Sequence, residues 1–381
     1  MGSERVLALA EGLKANGVDA YLATRTADIR WLTGFTGVFD QEQAHAVLVM
    51  PISADERTCL FTDTRYSESL RQLDTQGSWN VLDERKPRFA YVAEMIVREL
   101  GEVGKERPVV IGIESDLRLD WYKAFGKALD GICEEQGFTY ELRAMSDATR
   151  GLRARKSRDE VALLKAAQAI TDAGFAHMLD YLRPGLTEKE AAVELEFFMR
   201  RAGASGLAFP SIVASGPNSA VPHAVPGDRV MQSGDIVLMD FGARLDDYCS
   251  DMTRTVILGA ASGQQKDMYD ATLAAHMTVC LAYRPGMKCQ MAQDIAEEVL
   301  AERGFAGKLI HSVGHGVGID IHEYPFIGGQ SLDVLEEGNV ITVEPGVYLE
   351  GIGGVRIENC GVVTSDGYES FAESPRELIV V

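Results

Sequence analysis

The stretch GDIVLMDFGARLDDYCSDMTRT, residues 234–255, carries acidic residues on either side of a predicted turn. Asp240 directly follows the apolar run IVLM, and Asp251 follows the polar segment LDDYCS. Apolar runs bounded by turn residues predict buried strands, and two such strands in succession predict a hairpin. A two-residue turn at Leu245–Asp246 would set Asp240 directly opposite Asp251, with their Cβ atoms about 5 Å apart on one face of the sheet.

The same pattern returns later in the chain. GNVITVEPGVYL (338–349) resembles the beginning of the first stretch, so that Glu344 takes the place of Asp240. Glu344 and Glu358 flank the glycine-rich EGIGG and would face each other across a loop centred on Gly351. Each half of this region therefore predicts a hairpin that presents a pair of carboxylates.

The helices that precede the two hairpins repeat as well. YLRPGLTEKEAAVELEFFMRRAG (181–203) resembles AYRPGMKCQMAQDIAEEVLAERG (282–304), at a constant offset of 101 residues. Each copy predicts a Pro-Gly turn and an amphipathic helix that ends at glycine. Two halves of about a hundred residues, each with helix, loop and hairpin, predict internal pseudo-two-fold symmetry within one domain.

The segment HSVGHGVGIDIHE, residues 311–323, holds three of the chain's seven histidines among closely spaced glycines. Gly314, Gly316 and Gly318 would make a helix costly, so the segment is predicted to be an irregular strand or a loop. Glycine at every second position indicates that the backbone approaches another group closely. His315 is the natural imidazole for a site shared with the carboxylates.

The four hairpin carboxylates would converge if the two halves pack about a pseudo-symmetry axis. Like charges opposite one another destabilise a sheet, and four of them in an interior require neutralisation. A pair of divalent cations neutralises them well, because oxygen ligands and one imidazole suit two ions roughly 3.5–4 Å apart. We therefore predict a dinuclear metal centre.

The N-terminal part of the chain has a different organisation. Residues 1–145 alternate helical and strand patterns, which predicts a separate α/β domain, with RYSESLRQLD (65–74) as one of its helices. The polar, basic stretch 146–157 is predicted to be a linker that ends in a capping box, Ser157–Glu160. Residues 158–381 would form the repeated domain, which makes the fold class α/β (α+β).

Composition excludes several classes of function. The chain of 381 residues has 57 acidic and 37 basic residues and a net charge of −20, so nucleic-acid binding is not expected. No run approaches the roughly 18 apolar residues of a membrane span. The six cysteines show no CxxC spacing, which fits reduced thiols. Without a signal-peptide pattern at the N-terminus, the expected location is the cytoplasm.

Three motifs together resemble the creatinase/methionine aminopeptidase superfamily, the pita-bread metallopeptidases: DFGARLDDYCSDMTRT, HSVGHGVGIDIHE and EPGVYLEGIGGVRIEN. The similarity covers the whole chain and is nearest to the Xaa-Pro branch, aminopeptidase P and prolidase. It implies a creatinase-like N-terminal α/β domain, a C-terminal pita-bread domain and two metal ions. The implied metal ligands are Asp240, Asp251, His315, Glu344 and Glu358. Asp251 and Glu358 would bridge the ions, with Asp240 on one ion and His315 and Glu344 on the other.

The resemblance also implies roles for other side chains around the site. His223 and His322 match a pair that contacts the scissile carbonyl and the developing oxyanion. His311 matches a histidine of the substrate pocket or of the surroundings of the metals. Tyr348 matches a tyrosine close to the metals, and Arg356 matches an arginine that supports the site.

One position departs from the family pattern. Asp247 replaces the glycine that usually precedes Tyr-Cys-Ser-Asp, which would tighten or re-aim the first hairpin without removing a ligand. His45, His177 and His276 lie outside the motifs, and the last two are predicted to be ordinary helix residues. The family also implies a homodimer.

The predicted reaction is hydrolysis of the bond before proline, at the N-terminus of peptides or in dipeptides. A hydroxide bridging the two metals would attack the carbonyl carbon. Glu344 would carry the proton to the leaving nitrogen, while His322 and His223 donate to the oxyanion. Oxygen-rich ligation favours Mn²⁺, with Co²⁺, Zn²⁺ and Fe²⁺ as alternatives.

Other functions on the same fold fit the sequence less well. Methionine aminopeptidases normally lack so large an N-terminal domain and the arginine of GVRIE. A creatinase-like C–N hydrolase does not need all five ligands, and non-catalytic scaffold members usually lose some of them. Aminopeptidase P and prolidase stay open, because the length and the N-terminal domain fit either.

Overall fold

A computed structural model of the chain describes residues 2–35, 46–50, 57–62, 64–66, 68, 78–81, 88–146 and 148–381. The chain divides into two units, Met1–Leu152 and Arg153–Val381. The predicted linker, 146–157, spans this division, and Arg150–Ala154 within it form a short helix. His45 lies outside the described residues, as does most of the predicted helix 65–74, which begins within a 3₁₀ turn at Thr64–Tyr66.

The first unit contains one mixed sheet and flanking helices. Its strands are Ala20–Ala23 (β1), Ala46–Met50 (β2), Arg57–Thr62 (β3), Ser78–Val81 (β4), Val109–Glu114 (β5) and Tyr140–Met145 (β6). Their order is β4-β3-β2-β1-β5-β6, antiparallel from β1 to β3 and parallel at the three other pairings. The helices described in this unit are Gly2–Ala15, Thr26–Thr33, Arg88–Glu106 and Leu119–Gln136.

The core of the first unit lies between this sheet and its two longest described helices. Helix Arg88–Glu106 buries Phe89, Ile96 and Leu100, at the spacing of one helical face. Helix Leu119–Gln136 adds Phe125 and Leu129 to the same apolar cluster, which also contains residues of β1, β3 and β5. The predicted mixed α/β architecture is therefore confirmed.

The second unit contains four long helices and two larger sheets. The helices are Arg158–Tyr181, Glu188–Arg201, Gly263–Ala282 and Cys289–Glu302. The strands of its first half are Gly206–Leu207 (β7), Ile212–Ser215 (β8), Ile236–Phe241 (β9), Ala243–Leu245 (β10), Tyr248–Cys249 (β11) and Met252–Ile257 (β12). Those of its second half are Gly314–Gly316 (β13), Glu323–Ile327 (β14), Val340–Val343 (β15), Gly346–Leu349 (β16), Gly353–Arg356 (β17), Asn359–Val363 (β18), Tyr368–Ser370 (β19) and Ile379–Val380 (β20). The larger sheets have the orders β20-β12-β9-β8 and β14-β13-β15-β18-β19.

The predicted repeat is present in the backbone of this unit. Glu188–Arg201 and Cys289–Glu302 have equal lengths of 14 residues, and both ends are displaced by 101 positions. The glycine of each preceding Pro-Gly turn has a positive φ, 98° at Gly185 and 83° at Gly286. Because only glycine adopts this conformation without steric cost, the two copies share a backbone requirement as well as an apolar pattern.

The predicted register of the second hairpin is confirmed. β16 pairs with β17 from Gly346↔Arg356 to Leu349↔Gly353, which centres the loop on Gly351. The ladder between β15 and β18 continues the same register. Glu344 and Glu358 lie between these two ladders and are therefore set opposite each other.

The predicted register of the first hairpin is wrong by two residues. Leu245 pairs with Tyr248, so the turn consists of Asp246 and Asp247, whose φ angles are 46° and 70°. A type I′ turn needs positive φ at both central residues, which aspartate tolerates better than leucine does. Asp240 therefore lies opposite Thr253 and not opposite Asp251. Because side chains alternate with a period of two, this even shift leaves Asp251 on the predicted face.

Candidate metal centre

The predicted metal ligands lie in or next to strands from both halves of the second unit. The first half contributes Asp240 in β9 and Asp251 in the link between β11 and β12. The second half contributes His315 at the centre of β13, Glu344 directly after β15, and Glu358 between β17 and β18. Apolar strands thus carry these polar side chains into an interior.

Three of these side chains form a close cluster. Asp251, His315 and Glu358 each offer a ligand atom within 4.8 Å of the others, and all three are buried. Glu344 borders the cluster, because its Oε1 lies 3.3 Å from His315 Nε2. The same nitrogen is 3.4 Å from Asp251 Oδ2. Two carboxylates and one imidazole therefore surround one small volume, with a third carboxylate at its edge.

Asp240 is not part of this close cluster, but Arg356 and Thr253 connect it to Glu358 by hydrogen bonds. Its Oδ2 accepts a hydrogen bond from Arg356 Nη2 at 2.6 Å. Its Oδ1 is buried and has no hydrogen-bond donor within the part of the chain that the structure describes. A buried acceptor without a partner is costly, and a bound cation would satisfy it.

The electrostatics of the carboxylates also fit a cation site. Burial, followed by the charges of the other carboxylates, raises the pKa of Asp251 and the pKa of Glu358 well above their ordinary values. Burial likewise raises the pKa of Glu344. Groups that resist ionisation because they are buried and repel one another are stabilised as carboxylates by divalent cations. The residues present therefore fit a divalent metal.

His315 is held as a neutral ligand. Burial lowers the pKa of its imidazole, which favours the uncharged ring. Nδ1 lies 3.0 Å from the carbonyl oxygen of Gly316, and since that oxygen can only accept, Nδ1 carries the proton. Nε2 then has a free lone pair directed at the carboxylates, which is the arrangement of a metal-bound histidine.

The glycines around His315 allow a close backbone approach, as the sequence predicts. A Cβ at Gly314 would lie 2.4 Å from the carbonyl oxygen of Thr342, and one at Gly316 would lie 2.4 Å from that of Tyr324. The register between β13 and β14 also shifts between His315 and Gly316. Any larger residue at these two positions would push β13 away from its neighbours and move the imidazole.

Arg356 connects three parts of the site. Its Nη1 donates to the hydroxyl of Tyr348 at 2.7 Å, and its Nε donates to Thr253 Oγ1 at 3.1 Å. Thr253 in turn donates to Glu358 Oε2 at 2.6 Å. With the contact to Asp240, one buried guanidinium orients two of the predicted ligands.

The sequence analysis missed two threonines that hold the ligands. Thr253 supports Glu358, and Thr342 Oγ1 donates to Glu344 Oε1 at 3.3 Å while accepting from the backbone N–H of His315. Each threonine is two residues from a predicted acidic ligand that borders its strand, Thr253 from Asp251 and Thr342 from Glu344. The period-two alternation of strands places such pairs on one face, and this signal could have identified them.

Of the other predicted site histidines, His322 and His311 border the carboxylates and His315, whereas His223 lies on a loop that contacts Arg356 through Pro222. The His322 ring lies next to His315, with 4.4 Å between ring centroids, and is itself exposed. His311 Nε2 accepts from the Tyr348 hydroxyl at 2.8 Å. His223 is exposed on the loop after β8, and its charge contributes, after burial and other groups, to lowering the pKa of both His311 and His322.

Two histidines outside the motifs are helix residues, as predicted. His177 stacks on Phe198 with 4.3 Å between ring centroids. His276 is fully buried in helix Gly263–Ala282 and contacts the carbonyl oxygen of Val343 at 3.1 Å. Neither belongs to the candidate metal centre.

The family of the chain follows from comparison with known proteins. Residues 162–365 match the model of metallopeptidase family M24, and residues 5–153 match the creatinase/prolidase N-terminal domain. The chain belongs to metallopeptidase family M24. The predicted resemblance is thereby confirmed, and membership of this family implies divalent metal cofactors.

Several named proteins are similar to this chain over nearly its whole length. A Xaa-Pro dipeptidase of Lactobacillus helveticus is 36% identical, covering 98% of each chain. The solved structure of a Xaa-Pro dipeptidase from Bacillus anthracis matches with a TM-score of 0.90 at 36% identity over all of both chains. The structure of an X-Pro aminopeptidase from Thermotoga maritima matches with a TM-score of 0.83 at 31% identity, over 96% of this chain and 98% of that one.

Proposed function

We propose that this M24 protein is a metal-dependent exopeptidase that hydrolyses Xaa-Pro bonds, at the N-terminus of peptides or in dipeptides. The observation that carries the proposal is the convergence of Asp251, His315 and Glu358 within 4.8 Å. The buried Oδ1 of Asp240, which has no hydrogen-bond partner among the described residues, adds to it. Relatives named Xaa-Pro dipeptidase and X-Pro aminopeptidase, each more than 30% identical, support the substrate class.

The proposed cofactor is a pair of divalent ions, with Mn²⁺ favoured by the oxygen-rich ligands and Co²⁺, Zn²⁺ and Fe²⁺ as alternatives. Five side chains would hold them: Asp240, Asp251, His315, Glu344 and Glu358. When bound, such ions supply Lewis acidity and lower the pKa of water near the substrate carbonyl.

The chain's own side chains would handle the proton and the oxyanion. Glu344 borders the cluster, with its Oε1 3.3 Å from His315 Nε2, and we propose that its carboxylate takes a proton from the attacking water and passes it to the leaving proline nitrogen. His322, whose ring lies next to that of His315, and His223, exposed on the loop after β8, would donate to the substrate carbonyl oxygen as it becomes negative. His311 and Tyr348, joined by their hydrogen bond, would border the substrate, and Arg356 would hold Asp240 in place.

The decisive experiment combines metal analysis with peptide kinetics. The purified chain is stripped with a chelator, reconstituted with Mn²⁺, and assayed on Xaa-Pro, on Xaa-Pro-Yaa-Zaa and on matched peptides with alanine in place of proline. We expect metal-dependent hydrolysis of the proline peptides alone. A metal-loaded protein that leaves every proline peptide intact would contradict the proposal.

The same assay separates the two forms of the activity. The relatives include both a dipeptidase and an aminopeptidase, so the site is consistent with either activity. Cleavage of the dipeptide alone would identify a prolidase. Cleavage of the longer peptide would identify an aminopeptidase P.

Two further proposals concern the cellular compartment and the oligomeric state of the enzyme. None of the described helices combines the length and apolar character needed to cross a membrane. The six cysteines all lie among the described residues and form no disulfide there, which supports a reducing compartment such as the cytoplasm. The homodimer implied by the family resemblance stays a prediction, which light scattering of the purified protein would test.

A further inference from the structure

Glu188 is a buried carboxylate that the proposed chemistry does not use. It is the first residue of helix Glu188–Arg201 and is only 1% exposed. Its Oε1 accepts from the backbone N–H of Ser215 at 2.7 Å and from Ser215 Oγ at 2.8 Å. Its Oε2 accepts from the backbone N–H of Gly227 at 3.2 Å, and Asn218 Nδ2 lies within 3.2 Å of both oxygens.

These donors stand on both sides of His223. Ser215 ends β8 and Asn218 lies in the 3₁₀ turn Gly216–Ala220 that follows, whereas Gly227 lies on the returning part of the loop. A backbone hydrogen bond also attaches the returning part of the loop to the helix, because the N–H of Lys189 donates to the carbonyl oxygen of Gly227 at 3.0 Å. One carboxylate thus holds the two ends of the loop 216–227 together, with His223 between them.

The middle of this loop is tied to the metal centre. Ser219 Oγ accepts from the backbone N–H of Gly354 at 2.9 Å, and Gly354 belongs to β17, the strand that ends at Arg356. The carbonyl oxygen of Pro222, the residue directly before His223, accepts from Nη1 and Nη2 of Arg356, each at 3.4 Å. The loop therefore spans the distance between Glu188 and the site.

Capping of its helix does not explain Glu188. Thr187 and Glu190 already form a complete capping box, with Thr187 Oγ1 accepting from the N–H of Glu190 at 3.1 Å and Glu190 Oε2 accepting from the N–H of Thr187 at 2.8 Å. A buried charge persists only when it is well hydrogen-bonded, and the donors of Glu188 come from the His223 loop.

We propose that Glu188 is a positioning residue for His223. By fixing both ends of the loop 216–227, it presents the imidazole to the carbonyl of the substrate. The inference rests on the proposed function, in which His223 donates to the developing oxyanion.

The main test is a double-mutant cycle between Glu188→Gln and His223→Ala. A glutamine offers one acceptor oxygen, so its amide group must face the donors at one end of the loop. We expect kcat on a Xaa-Pro peptide to fall by about 10-fold to 100-fold in E188Q, with metal content unchanged, because small misplacements of a catalytic group are costly. In the H223A background the same substitution should change kcat by less than about twofold. An equal loss of kcat in both backgrounds would overturn the proposal.

Glu190→Gln is the matched control, because it is the same change in the same helical turn and lies outside the loop. We expect it to leave kcat within about twofold of the wild type, since an exposed capping-box residue contributes mainly to helix stability. If E188Q proves unstable, Asn218→Ala removes one donor and keeps the carboxylate. Its smaller loss of kcat should also disappear in H223A, and a loss that persists there would count against the proposal.

Hydrogen exchange supplies a readout that does not depend on activity. Amides of residues 216–227 should exchange faster in E188Q than in the wild type or in E190Q, with the rest of the second unit unchanged. Exchange in E188Q identical to the wild type would overturn the anchoring role. A wild-type protein that does not cleave Xaa-Pro peptides, yet shows the expected exchange, would instead overturn the proposed function.

Discussion

Arg356 Nη2 lies 2.6 Å from Asp240 Oδ2, and both residues are buried in the second unit. The same guanidinium donates to Tyr348 and Thr253, so its three nitrogens are all engaged. A planar fork with fixed donors suits this arrangement, because each nitrogen points in a set direction. The contact leaves Asp240 Oδ1 available for a cation.

Arg356→Lys should therefore impair the enzyme although it keeps the positive charge. A single ammonium group cannot serve three acceptors in fixed directions, so Asp240 and Glu358 lose their orientation. We expect kcat/KM on Xaa-Pro peptides to fall by about tenfold or more, with weaker metal binding. Titration of the stripped variant with Mn²⁺ measures the second effect. Arg155→Lys, at a side chain that is 66% exposed, is the control and should behave as wild type. If R356K matched this control in kcat/KM and in Mn²⁺ binding, the role assigned to Arg356 would be contradicted.

His322→Ala and Asp251→Ala should fail in different ways. His322 is exposed beside His315 and is proposed to donate to the oxyanion, so its loss should lower kcat by about 10²–10³-fold with metal content intact. Asp251 belongs to the central cluster, so its loss should remove metal as well. Elemental analysis of both variants, with peptide kinetics, distinguishes them.

His177→Ala is the control for these variants, because that ring stacks on Phe198 away from the cluster. Its kinetics and metal content should match those of the wild type. Full metal occupancy in D251A, or undiminished turnover in H322A, would show that the corresponding role is misassigned.

Glu323 should make the stability of the second unit depend on pH. It is buried between Lys156 and Arg153, and although burial alone would raise its pKa, these two cations lower it below its ordinary value. A lowered carboxyl pKa stabilises the folded state above the unfolded value of about 4.3, and this contribution is lost as the pH falls through the folded pKa. Glu323→Gln removes the buried counter-charge that Lys156 and Arg153 share, although Arg153 keeps its ion pair with Asp320 at 2.7 Å, and should cost about 3–5 kcal/mol at pH 7.

Urea unfolding of the wild type and E323Q at pH 7 and at lower pH measures this difference. The difference between the wild type and E323Q in the free energy of unfolding should become smaller as the pH falls below the pKa of glutamate in the unfolded chain. Glu336→Gln, at a side chain 62% exposed, should change the free energy by less than about 1 kcal/mol. A gap independent of pH would mean that the ion pair does not set the pKa of Glu323.

Asp247 should respond to substitution through its backbone. Its φ of 70° belongs to the left-handed region, in which alanine is disfavoured and glycine is not. Asp247→Ala should therefore be less stable than Asp247→Gly by about 1 kcal/mol, with metal content the same in both. Thermal unfolding of the two variants provides the comparison. Equal stability would indicate that the turn relaxes to another form.

The sequence by itself determined those features that depend on residues close together in the chain. The capping box at Ser157 and the apolar periodicity delimit helices, since each acts within one or two turns. The glycine-rich loop centred on Gly351 sets the register of the second hairpin, because a short connection leaves the strands few alternatives. The predicted register of the first hairpin is wrong by two residues, because the turn can form at more than one position of LDDY. The preference of aspartate over leucine for positive φ decides between these positions.

Only the tertiary structure decided the contacts that complete the site. Arg356 and Asp240 are 116 positions apart, and Thr253 and Glu358 are 105 apart. Neither local periodicity nor composition specifies which buried donor meets which acceptor, because that choice depends on how the two halves pack and on the cost of leaving a buried charge unpaired. Glu188 shows the same limit: in the chain it is one more acid at a helix start, and the folded loop alone reveals what it holds.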